Sequence, residues 1–101
     1  MKRPIDLARK YLALADRDIK VFLKLIDDPE IDDEPVGFHA QQAMEKCLKA
    51  VLAYHRVEFR RTRDLKDLLG TFQDANLPLP PFADQIHILN PFAVASNPQR
   101  R

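Results

Sequence analysis

Residues 38 to 56, FHAQQAMEKCLKAVLAYHR, constrain the fold more than any other stretch of the chain. At 100° per residue, Ala40, Ala43, Met44, Cys47, Leu48, Ala50, Val51 and Tyr54 share one side of a helix, and His39, Gln42, Glu45, Lys46, Lys49 and Arg56 share the other. The stretch contains no Pro or Gly and is dense in Ala, Leu, Lys, Glu and Gln, residues that lose little on becoming helical. A central amphipathic helix follows, and its neighbours must be elements that cover an apolar stripe.

The flanking segments fit that role. Pro4 suits a first helical position, and Ile5 to Ile26 read as a helix with a polar arc of Asp6, Arg9, Arg17, Lys20 and Lys24. Its apolar arc, from Leu7, Ala8, Tyr11, Leu12, Leu14 and Ala15 to Ile19, Val21, Phe22, Leu25 and Ile26, covers more than half the circumference, so it must touch two neighbours in the fold or a second copy. Asp27, Asp28 and Pro29 stop it, and residues 27 to 34 hold six carboxylates. These form either an acidic docking patch or a solvated turn ahead of the next helix's positive end.

After the central helix, Thr62 or Asp64 can cap a third helix with Leu65, Leu68, Leu69 and Phe72 buried. Gly70 costs that helix about 1 kcal/mol relative to Ala and marks it as short. Pro81 starts a fourth, with Phe82, Ile86, Leu89 and Ala93 in a stripe, which Pro91 kinks or ends; residues 97 to 101 form a tail. The expected architecture is all-α, an antiparallel up-and-down bundle of four main helices in one domain over 1–101, with an ordered core at about 4–95. The longest apolar runs are far too short for a membrane span, and Met1-Lys2-Arg3 leads into Pro4 and Asp6 rather than a signal-peptide core, so no membrane role and a cytoplasmic location are expected. A single cysteine, Cys47, rules out an internal disulfide and reads as a small core residue.

The run Phe38-His39-Ala40-Gln41-Gln42-Ala43 with Glu45-Lys46 and Leu48-Lys49-Ala50 resembles the second helix of HEPN domains. Ala15-Asp16-Arg17-Asp18-Ile19 resembles the family's first-helix signature, and Phe59-x-x-Thr62-x-x-Leu65-x-x-Leu68-Leu69 resembles its entry into the third helix. The resemblance implies a nucleotide-binding or regulatory domain, or one half of a toxin-antitoxin-like pair with a minimal nucleotidyltransferase partner. RNA-cleaving members carry an Arg followed four to six residues later by a His, at a site formed across a dimer. His39, His55 and His87 have no Arg in that window, so no catalytic residue is assigned. The chain also has Thr62-Arg63 where the family often has Thr-His, and Ser96-Asn97-Pro98 where it often has Arg-Tyr-Pro; it stops at Arg101 where the family usually continues into another amphipathic helix.

Net charge is +1, but its distribution in an up-and-down bundle is polar: acids of 27 to 34 at one end, and Lys2, Arg3, Arg56, Arg60, Arg61 and Arg63 at the other. Guanidinium groups grip phosphates bidentately, so Arg56, Arg60, Arg61 and Arg63 are the candidate phosphate or RNA contacts; the plainer alternative is an Arg-rich solvated loop without an aromatic stacking platform. Asp18 lies on an apolar arc and needs a partner, and antiparallel register places Lys46 or Gln42 at its height, as a structural tie or a ligand cleft. Glu45 and Lys49 read as an ordinary surface i,i+4 ion pair. His55 reads as packed, His39 and His87 as exposed. The candidate ligand-binding set is Asp18, Gln42, Lys46, Lys49, Thr62 and Arg63, with no metal ligands and no cofactor. The expected assembly is a homodimer through the first and fourth helices, using Tyr11, Ile88, Phe92 and Val94. A ribonuclease with a nonstandard site near Asp18, Lys46 and residues 56 to 63 is the alternative function, and a helical scaffold the third.

Overall fold

The computed structural model describes residues 3–81 and 83–88, the last three by their backbone alone. The first helix, α1 (Pro4–Ile26), begins where Pro4 places it: the missing Pro N–H lies among the groups a helix start leaves unpaired, and the Asp6 carboxylate accepts from the Arg3 backbone N–H at 3.2 Å. It ends at Asp27, and the acidic segment turns tightly, with the Asp28 carboxylate accepting from the Glu30 N–H at 2.9 Å. The second helix, α2 (Asp33–Tyr54), starts five residues ahead of the amphipathic stretch. Asp33 and Glu34 lie in its first turn, where the helix dipole favours them, and Pro35 is tolerated there because that N–H has no intrahelical acceptor.

α1 and α2 are antiparallel. Asp18 meets His39 near one end of the pair, while Pro4 and Leu7 share a cavity with Ala53 and Arg56 at the other. The third helix, α3 (Leu65–Asp74), is capped by Asp64, whose side chain accepts from the Lys66 N–H at 2.9 Å. Its buried face, Leu65, Leu68 and Phe72, closes a core with Leu48 and Leu52 of α2. The helix runs for four residues beyond Gly70, where an added Cβ would meet nothing within 4 Å.

Two parts of the expected bundle are corrected. Among the described residues there are three α-helices, and the position of the fourth holds a 3-10 helix, Ala83–Ile88; Phe82 and the expected stripe residues Leu89 and Ala93 lie outside the described residues, as does the Ile86 side chain. The connection from α2 to α3 is also no short end-loop. It runs back along α2 until the Arg63 carbonyl accepts from Gln41 Nε2 at 2.6 Å, so that α3 returns in the direction of α2, bringing Thr71 and Asp74 to the cavity that Val57 and Glu58 line. Extended chain advances about 3.3 Å per residue against 1.5 Å in a helix, so this short strap spans several turns of α2. In consequence the basic residues do not gather at one pole. Arg56 sits with Arg3 at one end, and Arg63 lies beside Phe38 towards the other, its guanidinium 5.9 Å from the ring centroid.

The two faces of α2 are also not used as the helical wheel suggests. Gln41, Gln42, Glu45 and Lys49 are buried, whereas Val51 and Tyr54 are exposed. α1 contributes its buried residues as Ala8 and Ala15, and the strap covers Gln41 with the Arg63 carbonyl and Lys49 with the Phe59 ring. Cys47 is half-buried, and that burial raises its thiol pKa and disfavours the thiolate. No helix among the described residues is long and apolar enough to cross a membrane.

Candidate functional site

Two groups of polar side chains stand out: a ladder on the buried side of α2 and the strap that follows it. In the ladder, Gln41, Glu45 and Lys49 recur every four residues and so stack along one face. Glu45 Oε2 accepts from Lys49 Nζ at 2.8 Å and lies 3.7 Å from Lys46 Nζ, which itself donates to Gln42 Oε1 at 3.1 Å. One carboxylate oxygen is thus shared by two ammonium groups. Lys49 also faces the ring of Phe59 at 5.9 Å, a cation–π contact that covers it from the strap side. The expectation of an ordinary surface pair is corrected: Glu45 is 3% and Lys49 8% exposed.

The partner expected for Asp18 is corrected too. It is neither Lys46 nor Gln42 but His39, whose Nδ1 lies 3.0 Å from Asp18 Oδ1, and both side chains are half-buried. His39 is therefore not the exposed residue expected from its polar surroundings in the wheel. His55 differs in the opposite sense: it caps α2, is exposed and meets Tyr54 edge-on with centroids 5.4 Å apart. The His87 side chain lies outside the described residues.

Of the candidate ligand residues, the structure brings Gln42, Lys46 and Lys49 into the ladder and leaves Asp18 in its pair with His39. Thr62 is occupied in shaping the entry to α3: its Oγ1 accepts from the Asp64 N–H at 2.9 Å and donates to Asp67 Oδ2 at 3.3 Å. Arg63 is exposed and lies over Phe38. Arg60 reaches towards Asp67 at 3.9 Å, a distance too long for a hydrogen bond. Arg56 and Arg61 are exposed and have no partner among the described residues. Three of the four candidate phosphate contacts, Arg60, Arg61 and Arg63, therefore lie in order along the strap, with Arg56 at its start.

Chemically, the ladder has more capacity than its internal bonds use. Gln41 Oε1, Gln42 Nε2 and Glu45 Oε1 are buried without a hydrogen-bond partner among the described residues. Each such group, two acceptors and one donor in all, costs about 1–3 kcal/mol if left unpaired. Sequence reading missed this burial. The signal available was the four-residue recurrence Gln41-Glu45-Lys49, which runs along the same side of the helix as Leu48 and Leu52. Among the described residues no three His, Cys, Asp or Glu side chains converge as metal ligands.

No curated protein and no solved structure matches the chain significantly. The model of the HEPN domain matches residues 8–97. That range includes α1 from Ala8 onward and all of α2 with its buried ladder, the strap and α3. The protein is therefore a member of the HEPN domain family.

Proposed function

We propose that this HEPN domain is a non-catalytic binding module that holds RNA phosphates along the strap. The observation that carries the reading is the row of guanidinium groups at Arg56, Arg60, Arg61 and Arg63, of which Arg56 and Arg61 have no partner among the described residues. An extended strap offers cations in sequence to an extended backbone, and each grips a phosphate bidentately. Absence of the family's Arg-to-His spacing supports a non-catalytic role. Anisotropy of a labelled single-stranded RNA tests it. Binding should weaken steeply between 50 and 200 mM salt, and Arg60→Gln with Arg61→Gln should weaken it about tenfold and flatten the salt slope by about two phosphate contacts. Equal affinity in the double variant removes the proposal.

One geometric feature favours the ribonuclease alternative. Asp18 holds His39 at 3.0 Å, the arrangement that fixes an imidazole for proton transfer. RNA cleavage by the wild type that disappears in His39→Ala would move the assignment from module to enzyme. Neither binding nor cleavage would leave the scaffold reading.

The same reading includes self-association, relocated from its expected place. Tyr11 is half-buried against Phe59 with centroids 6.0 Å apart, and the side chains of Ile88, Phe92 and Val94 lie outside the described residues. Instead, Leu12, Ile19, Leu23 and Ile26 form one exposed stripe along α1, Leu23 being 57% exposed. A homodimer through this stripe is the proposed assembly; a nucleotidyltransferase-type partner, which the family resemblance implies, would compete for the same surface. Sedimentation at tens of micromolar should give a dimer, and Leu23→Glu a folded monomer. A monomeric wild type excludes the self-association.

A further inference from the structure

Where the first turn of α1 meets the turn leaving α2, the structure encloses a cleft of about 340 Å³. Its walls are Pro4, Leu7, Ala53, Val57 and Phe59. These are buried or half-buried, whereas the charged groups that complete the lining, Arg3, Arg56 and Glu58, are exposed. The cleft is thus an apolar interior with a charged rim.

The rim charges do not count equally. Arg3 is already engaged by Asp6, through Nε to Oδ2 at 3.1 Å and Nη2 to Oδ1 at 3.2 Å. Glu58 is negative. Arg56 has no partner among the described residues, so although these four charges sum to zero, Arg56 is the rim cation left to meet a ligand's anionic group. A polyphosphate would face Glu58 with a single cation to offset several charges.

The backbone of Arg56 points the same way. The helix ends of α2 and α3 have one geometry: the third residue past the helix, Val57, has its N–H on the Leu52 carbonyl after α2 at 2.9 Å, as Leu77 does with Phe72 after α3 at 2.9 Å, and the residue following Ala75 or His55 takes a left-handed φ. That residue is Asn76 at φ 59 after α3, a residue that tolerates this region; after α2 it is Arg56 at φ 60. An arginine where glycine or asparagine fits better is strain, and it holds a guanidinium at the rim of an apolar cleft.

We infer that this cleft binds a small monoanion with a planar apolar body, an aromatic carboxylate in chemical class, its ring among Leu7, Val57 and Phe59 and its carboxylate on the Arg56 guanidinium. This goes beyond the RNA-binding reading and does not rest on it: of the proposed RNA contacts only Arg56 borders the cleft, and Arg60, Arg61 and Arg63 do not.

Titration of the whole protein with 1-naphthoate, followed by amide NMR, tests the inference, with 1-naphthamide and AMP as comparators. Shifts should centre on Leu7, Ala53 and Val57, and both the uncharged amide and AMP should bind at least tenfold more weakly. Arg56→Gly should raise the melting temperature, because glycine relieves the left-handed strain, and should weaken naphthoate at least tenfold. Leu7→Phe, which fills the cleft, should abolish binding while the melt remains cooperative. The inference fails if naphthamide or AMP matches naphthoate, if Arg56→Gly binds as well as the wild type, or if the shifts fall on Leu12, Ile19 and Leu23. RNA affinity, read separately through Arg60 and Arg61, can fail without touching this result.

Discussion

Lys49→Ala is expected to destabilise the protein by about 3–5 kcal/mol, because it strands the Glu45 carboxylate in a site from which water is nearly excluded. Glu45 is 3% exposed, and its Oε2 would keep Lys46, at 3.7 Å, as the remaining cation nearby. Oε1 already has no partner among the described residues, so the loss of the 2.8 Å bond to Lys49 leaves the carboxylate with little to offset desolvation. For a domain of this length a typical stability is about 5–15 kcal/mol, so the variant is marginal or unfolded. Replacing both partners, Glu45→Leu with Lys49→Met, should recover most of the loss, since two apolar groups of similar volume need neither desolvation nor pairing. Urea unfolding of the two single variants and the double gives the coupling directly. A cost below about 1 kcal/mol for Lys49→Ala would mean that the pair behaves as a surface one.

Leu68→Ala should cost about 2–5 kcal/mol, and its effect should be uneven along the chain. Leu68 is 0% exposed and sits between Leu65 and Phe72, the other two side chains that α3 buries. A helix of ten residues is too short to persist on its own, so its existence depends on those three contacts with Leu48 and Leu52. Truncating the middle one should free α3 before the α1–α2 pair. Hydrogen exchange should therefore show α3 amides losing protection at lower denaturant than those of α2, whereas the wild type should show both opening together. Uniform loss across all three helices would mean that α3 is not a separable unit.

The two predictions concern neighbouring positions on one side of α2, where Leu48 and Leu52 follow Gln41 and Glu45 by seven residues, and they show how far the sequence alone reaches. Pro4 and Asp27 bounded α1 as expected, Asp64 capped α3, and the Leu65-Leu68-Phe72 stripe faced inward. These are local matters: a proline without an N–H, a carboxylate near unpaired amides, and a three- or four-residue recurrence act within a few residues of where they are written. The family resemblance carried by Phe38 to Ala50 also held, over residues 8–97.

The partner of Asp18 was not legible, although the need for one was. Register along two antiparallel helices brings several residues to about the same height, and His39 and Gln42 differ by less than one turn. Which of them meets Asp18 depends on how the helices roll about their axes, and no linear spacing encodes that roll. The strap is a similar case. Residues 55 to 64 contain the charges and the cap, but whether they turn at the end of α2 or run back along it depends on where Leu65 finds Leu48 and Leu52.

By itself, the sequence determined the helical class, the ends of α1, the cap and buried stripe of α3, and the family, because each rests on interactions within one element. The tertiary structure alone decided that Gln41, Glu45 and Lys49 lie inside while Val51 and Tyr54 face out, and that Arg56 borders a cleft apart from Arg63. A helix with neighbours on two sides has more than one inward direction, and a wheel drawn from its own residues can name only one. Which polar face turns inward then depends on what packs against it, here the strap's Arg63 carbonyl on Gln41 and its Phe59 ring on Lys49.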